Sequence, residues 1–239
     1  MNRLQNGVFI TGAGQRIGAF LVQQFLTHTN YPVVFTYRTA HPQVAQLQAM
    51  GAVGIQVDFN QPHAIEAMLT QLHNQVDSLR CVIHNASQWL SDDDWPLLNA
   101  YTQLFKVHVE VPYALNQALH GLLLASSSPL KDIISISDFS VARPSVDHIA
   151  YLASKAAMQS MSKGFAKKYA PHIKVNDLAP ALILFNEGDS ADYKTKRLAQ
   201  SALGIEPGAE VVWQAVEYLM NNNYTTGTVL NLDGGRGLM

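Results

Sequence analysis

Residues 7–18 read GVFITGAGQRIG, an apolar, β-prone run that ends at Thr11 and passes at once into a turn carrying Gly12, Gly14 and Gly18. Residues 16–29 are amphipathic with helical spacing, so the glycines lie on a strand-to-helix turn. Gly12 and Gly14 let the backbone turn sharply and approach a pyrophosphate, and Gly18 lets the helix pack closely. The helix start also offers N–H groups without partners in the chain, which favours a bound anion. Glycines alone are weak evidence, but their place after a first strand and at the opening of a helix makes the pattern specific. Gly12, Gly14, Arg16, Ile17 and Gly18 are therefore expected to hold the phosphates of a dinucleotide.

The same alternation continues along the chain. PVVFTYR, VGIQVDF, LRCVIHNA, KDIISIS, IKVNDLAP and TVLNLDGG read as further strands, which with GVFIT makes seven. Amphipathic stretches at 42–50, 61–76, 100–125, 149–170 and 208–222 separate them. That order predicts an α/β fold with right-handed crossovers on a parallel sheet, doubly wound, in a single domain over 1–239. Residues 182–206 break the rhythm, being polar, mixed in character and too long for a simple turn. In doubly wound sheets ligands bind beyond the carboxyl ends of the strands, so this insertion is expected to be a lid. A mobile surface loop is the plain alternative.

With 239 residues, 48% hydrophobic and 14% charged, the chain can bury a sizeable core. A formal net charge of −2, with 16 scattered Lys and Arg, offers no footprint for nucleic acid. The single cysteine, Cys81, lies in the apolar run LRCVIHNA, which predicts an inert core thiol and excludes an internal disulfide. No segment has the length of a membrane span, and MNRLQNGVFITG lacks a basic stretch followed by a long apolar core. A cytoplasmic setting without membrane association is expected. The histidines show no metal-ligand spacing such as His-Glu-x-x-His, so no metal is expected.

Cofactor choice is written at the end of the second strand, where FTYRT supplies Arg38 and Thr39. An acidic residue there would bind a ribose 2′-hydroxyl and repel a 2′-phosphate, whereas Arg38 would clamp the phosphate. NADPH is expected over NADH. Asp58, followed by Phe59, is placed to meet the adenine amine, and Asn85 and Ala86 close the fourth strand on the nicotinamide side. For Asn85 a bracing role is as good a reading as a direct contact. Pro180, ending the sixth strand, is assigned to the same groove.

The run DFSVARPSVDHIAYLASK, residues 138–155, carries the chemistry. Tyr151 and Lys155 are four apart on a predicted helix and share a face, so a phenol and an ammonium meet in one pocket. The ammonium is expected to lower the phenol's pKa toward neutrality, which would tune it as a proton donor for reduction. Asp138 stands thirteen residues before the tyrosine, just past a strand.

TGAGQRIG, HNAS, Tyr151 with Lys155, VNDLAP and LDGG occur in an order and spacing that resembles the short-chain dehydrogenase/reductase family over essentially the whole chain. The resemblance implies a Rossmann-type three-layer sandwich on a seven-stranded parallel sheet, hydride transfer from a nicotinamide, and usually a homotetramer. It also implies Tyr151 as acid and Lys155 as holder of the nicotinamide ribose. Most members carry serine where this chain has Asp138, and that replacement is similar to the pteridine reductases, as are Arg16, TYRT and HNASQW. A serine can only hydrogen-bond a carbonyl, whereas a carboxyl beside Tyr151 and Lys155 can relay a proton to a ring nitrogen.

Trp89 falls where pteridine reductases place an aromatic that stacks a pterin on the nicotinamide; packing in the core is the plain reading of the same residue. HNASQW, VHVEVPYALN, HIAYLASKAA, APALILFNE and LDGGR look like the bacterial dihydromonapterin reductases as a group. That likeness implies NADPH-dependent reduction of a small-molecule pterin, 7,8-dihydromonapterin, with dihydrofolate as a weaker substrate. Ser87 and Arg16 are expected to touch the pterin, and Leu182 and Phe185 to wall it. His108 departs from the wider family, which has asparagine there at a helix kink whose backbone carbonyl holds a relay water; a histidine packed in a helix interface is the bland reading. The rival functions are a 3-oxoacyl-thioester type carbonyl reductase, disfavoured by Asp138 and Trp89, and a silent NADPH sensor, disfavoured by the retained Tyr151 and Lys155.

Overall fold

The computed structural model describes residues 3–93 and 99–239. In chain order the strands are β1 (Gly7–Ile10), β2 (Val33–Tyr37), β3 (Val53–Gln56), β4 (Leu79–His84), β5 (Lys131–Ile136), β6 (Ile173–Pro180) and β7 (Val229–Leu232). All pair in parallel, in the spatial order β3-β2-β1-β4-β5-β6-β7. The helices are α1 (Arg16–His28), α2 (Pro42–Ala49), α3 (Ala64–Gln75), α4 (Asn99–Phe105), α5 (Val111–Leu124), α6 (Ile149–Tyr169), α7 (Ala191–Leu198) and α8 (Glu210–Asn221). This is the α/β, Rossmann-like arrangement expected.

The two-residue period of a strand explains the layers. Val8 and Ile10 of β1 pack with Leu21, Val22 and Phe25 of α1, while Phe9 between them faces Met68 of α3 and Leu115 of α5. Cys81 and Ile83 of β4 divide from Val82 in the same way. Because helices cover both faces, the strands read as continuous apolar runs instead of alternating ones. α1, α2 and α8 form one outer layer, sealed where Phe25 meets Trp213 edge-on at 4.9 Å between centroids. α3, α5 and α6 form the other. Cys81 is buried, and burial pushes its thiol well above the ordinary value.

The order of the sheet reverses between β1 and β4, which opens a crevice at their carboxyl ends. At the opposite end, Asp132 of β5 is buried between the guanidinium of Arg80 and the ammonium of Lys174, so charges placed inside the sheet are paired. Two elements differ from the sequence reading. The stretch 100–125 is not one α-helix, since α4 and α5 are joined by a π-helical turn, Lys106–Glu110. The insertion 182–206 contains α7, whose start is capped by the Ser190 hydroxyl accepting the Tyr193 N–H at 3.2 Å and which buries no side chain. Among the described residues, no helix is long and apolar enough to cross a membrane.

Candidate active site

The glycine turn after β1 is held by contact with the loop after β4. Gly12 has φ +63°, and a Cβ on it would lie 2.5 Å from the Ala86 Cα. A Cβ on Gly18 would lie 2.5 Å from Nδ2 of Asn85 and 2.6 Å from the Ala13 Cα. Asn85 Nδ2 donates to the carbonyls of Thr11 and Gly12 at 3.1 and 2.8 Å, and Thr11 Oγ1 accepts the N–H groups of Asn85 and Ala86, each at 3.1 Å. The bracing reading of Asn85 is thus the one seen in the geometry.

Above this turn α1 begins with neither a side-chain cap nor an acidic residue in its first turn. Its leading N–H groups are available to an anion. Arg38 and Thr39, both exposed, line one pocket with Gly14, Asp58 and Phe59. Among the described residues no carboxylate pairs with Arg38. Asp58 uses one oxygen to accept the Asn60 N–H at 3.0 Å. A cradle that a Cβ would fill, an uncapped helix start and an unpaired guanidinium at the end of β2 fit a dinucleotide bearing a 2′-phosphate. Arg16 reaches across the crevice instead, donating to Asn186 Oδ1 at 2.5 Å and to the Leu184 carbonyl at 3.2 Å.

The acid-base group forms where β5 ends. Asp138 accepts the Ser140 N–H on Oδ1 at 2.7 Å and the Tyr151 hydroxyl on Oδ2 at 3.1 Å. Lys155, one helical turn beyond Tyr151 and buried, donates to the Ile136 carbonyl at 2.9 Å, with Nζ 5.7 Å from the Tyr151 ring centroid. The expectation that Lys155 draws the phenol toward neutrality is corrected here. Burial, then the charge and hydrogen bond of Asp138, push Tyr151 well above its ordinary value, and only Ser87 opposes them. Lys155 is spent on a main-chain carbonyl, and burial brings it down to about 8 against the fields of Asp138 and Asp177. The phenol therefore carries its proton at neutral pH.

α6 owes its start to a distant residue. His148 at its N-cap supplies no side-chain bond, but Asp92, from the loop after β4, accepts the N–H groups of Ile149 and Ala150 at 2.5 and 3.1 Å. The same loop carries Ser87 and Trp89. Trp89 is 61% exposed, so the core-packing reading fails for it. Its ring lies 4.1 Å from that of His148 and 4.5 Å, edge-on, from that of Tyr151. Trp89, Ser87, Ile17, Pro180, Leu182 and Phe185 all line a cleft of about 980 Å³ with Asp138, Tyr151 and Lys155.

His108 sits in the middle of the π-helical turn and is fully buried. Its Nε2 lies 2.8 Å from Ser87 Oγ and accepts the Gln88 N–H at 3.4 Å, and its Nδ1 lies 2.8 Å from Ser154 Oγ. The Ser154 hydroxyl donates to the Tyr151 carbonyl at 2.7 Å, so it accepts from His108. His108 is thereby a neutral ring protonated at Nδ1, and Ser87 donates to Nε2. Burial first, and then the Lys155 charge, lower it to about 2.

Sequence reasoning missed Asp92, Ser154 and Asp177. Asp177 lies within β6, accepts the Ser137 hydroxyl and is raised to about 7 by burial. An acid inside an apolar strand was the available signal. Asp92 and Ser154 carry no local signal, because their partners are distant in sequence or belong to the main chain.

A crevice at this switch point, with a phenol and an ammonium one turn apart on the helix beside it, defines a short-chain dehydrogenase. Residues 6–192 match the short chain dehydrogenase family, and the chain belongs to it; the family uses nicotinamide dinucleotides. Its relatives include the dihydromonapterin reductase of Klebsiella pneumoniae, 41% identical over 232 residues, 97% of this chain and 96% of that one. Another, from an Enterobacter species, is 42% identical over 238 residues, 99% of each. The fold is similar to FolM alternative dihydrofolate reductase 1 from Brucella canis complexed with NADP, with TM-score 0.86 and 22% identity over 99% of this chain and 96% of that one.

Proposed function

We propose that the protein is an NADPH-dependent pteridine reductase that converts 7,8-dihydromonapterin to the tetrahydro form, with dihydrofolate as a weaker substrate. The observation that carries this reading is the Asp138 carboxylate hydrogen-bonded to the Tyr151 phenol at 3.1 Å. The full-length likeness to dihydromonapterin reductases supports it. Arg38, which has no carboxylate partner among the described residues and lines the pocket past β2, supports NADPH as the donor.

When bound, NADPH supplies the hydride that reduces the C=N bond at C6. The chain supplies the proton for N5. Tyr151 holds that proton because burial and Asp138 keep the phenol neutral; the hydroxyl donates to Asp138 until a bound N5 takes that proton in the carboxylate's place. Lys155, charged below about pH 8, faces the negative charge left on the phenol. Trp89 offers an exposed indole face for a flat heteroaromatic ring, and Leu182 and Phe185 line the same cleft as apolar walls. Residues 182–206 serve as the lid of a single domain, tied to the glycine turn through Arg16. A homotetramer is the expected assembly.

NADPH oxidation measured side by side with 7,8-dihydromonapterin, dihydrofolate and an acetoacetyl thioester tests the reading. Turnover greatest with dihydromonapterin is expected. Preference for the thioester would make the protein a carbonyl reductase, and no turnover with any of them would leave a dinucleotide sensor.

A further inference from the structure

The cleft holds more positive charge than the chemistry above uses. Arg143, Arg197 and Arg236 line it, together with Arg16 and Lys155, against the carboxylates Asp138 and Asp189. Those carboxylates are committed elsewhere: Asp138 accepts from Tyr151 and Ser140, and Asp189 accepts the Asn186 N–H at 2.8 Å. None of the ion pairs among the described residues involves Arg143, Arg197 or Arg236.

Three separate segments converge here. Arg143, beyond β5, donates to the Arg236 carbonyl and to an oxygen of Met239, the last residue of the sequence, which fixes the turn that follows β7. Arg197, on α7, donates to Gln200 at 3.0 Å, and the end of this insertion is tied to the same turn by the Leu203 N–H donating to the Gly234 carbonyl at 2.9 Å. Among the described residues, the buried Nε atoms of Arg197 and Arg236 have no hydrogen-bond partner. Buried guanidinium N–H groups left unpaired are costly, and three like charges at one place repel. Consistently, burial and then the fields of Arg197 and Arg143 lower Arg236 from its ordinary value. An anion in the cleft would offset the crowded positive charge and accept from the guanidinium N–H groups that line it.

We propose that Arg197 and Arg236, with Arg143 behind them, form an anion subsite that takes a carboxylate or phosphate carried on the side chain of the pterin. It rests on the pterin reading above. Such a subsite strengthens the hold on a charged tail where a pterin carries one, without placing those pterins ahead of dihydromonapterin, and puts that tail between α7 and the turn after β7.

The test compares the wild type with Arg197→Gln, Arg236→Gln and the double variant. The substrates are dihydrofolate for a carboxylate tail, dihydroneopterin phosphate for a phosphate tail, and dihydrobiopterin for an uncharged one. We expect kcat/KM for at least one charged substrate to fall about tenfold or more in the double variant, while that for dihydrobiopterin stays within about twofold. The tail whose substrate loses more identifies the anion. Equal losses on all three, or no loss, overturn the subsite.

Calorimetric binding of p-aminobenzoylglutamate and of pyrophosphate to the NADP-loaded protein gives a readout without turnover. Binding of either by the wild type, lost in the double variant, supports the subsite even if no pterin is reduced. Failure of the wild type to bind either overturns it, as does dissociation of an oligomer by the substitutions without any change in anion binding.

Discussion

Ser87 Oγ lies 2.8 Å from Nε2 of His108, and the ring's other nitrogen is already committed to Ser154, so the histidine holds the Ser87 hydroxyl in place at the edge of the cleft. A hydroxyl held this way offers a fixed polar contact to a heterocyclic ring. If His108 acts by fixing Ser87, Ser87→Ala and His108→Phe should each lower dihydropterin kcat/KM about tenfold, and the double variant no further than the worse single one. Multiplying losses would mean that His108 does not act through Ser87. Melting temperatures of all three variants separate this effect from loss of fold.

The proposed function makes Tyr151 the proton source. Tyr151→Phe should lower kcat by about 10² to 10⁴-fold while NADPH affinity stays near that of the wild type. Asp138→Ser should lower pterin turnover at least about tenfold. Retained pterin reduction in Asp138→Ser would show that the carboxylate is dispensable, and near-normal kcat in Tyr151→Phe would exclude the phenol as donor.

Among the described residues, no carboxylate pairs with Arg38 just past β2. Arg38→Asp should raise the Michaelis constant for NADPH by about tenfold or more and leave that for NADH nearly unchanged, because only the former carries the phosphate. A matching rise for both cofactors would move the 2′-phosphate away from this residue.

Lys155 is lowered to about 8, so it loses its charge as pH rises through that value. A pH profile of kcat/KM should therefore fall above about pH 8. In Lys155→Arg, whose guanidinium stays charged, any residual activity should lack that limb. An unchanged limb in the variant would assign it to another group.

Stability should carry two opposed pH signatures. His84 is lowered by burial to about 4, so the unfolded chain binds its proton first and stability is lost as pH falls below about 6.5. Asp177 is raised by burial to about 7, so the folded chain binds more protons and stability is lost as pH rises from about 4 to 7. Relative to wild type in urea titrations, Asp177→Asn should gain more at pH 8 than at pH 5, and His84→Gln should lose less at pH 5 than at pH 7.5. Variants whose differences do not vary with pH would refute these assignments.

The strand order and the position of the crevice were legible because a parallel sheet covered on both faces needs continuous apolar runs, and GVFIT, LRCVIHNA and IKVNDLAP supply them. Tyr151, Lys155 and Asp138 were legible as neighbours because helical spacing and a strand end place them together. The electrostatics were not. Spacing places Lys155 beside Tyr151, but it does not reveal that the Ile136 carbonyl captures the ammonium or that burial outweighs the opposite charge. The π-helical turn was equally hidden, since an inserted residue in a helix leaves the apolar pattern of VHVEVPYALN readable as plain α-helix. The arginines beside the cleft come from three segments that only the folded chain brings together.

Asp92 carries one more consequence. Its carboxylate holds the first turn of α6 from within the loop that presents Ser87 and Trp89. Recognition and chemistry therefore share an anchor, and residues 85–93 are not an exchangeable cassette. A designer who grafts a new specificity loop between β4 and α4 must carry an acceptor at position 92 or also shift the helix that aims the proton.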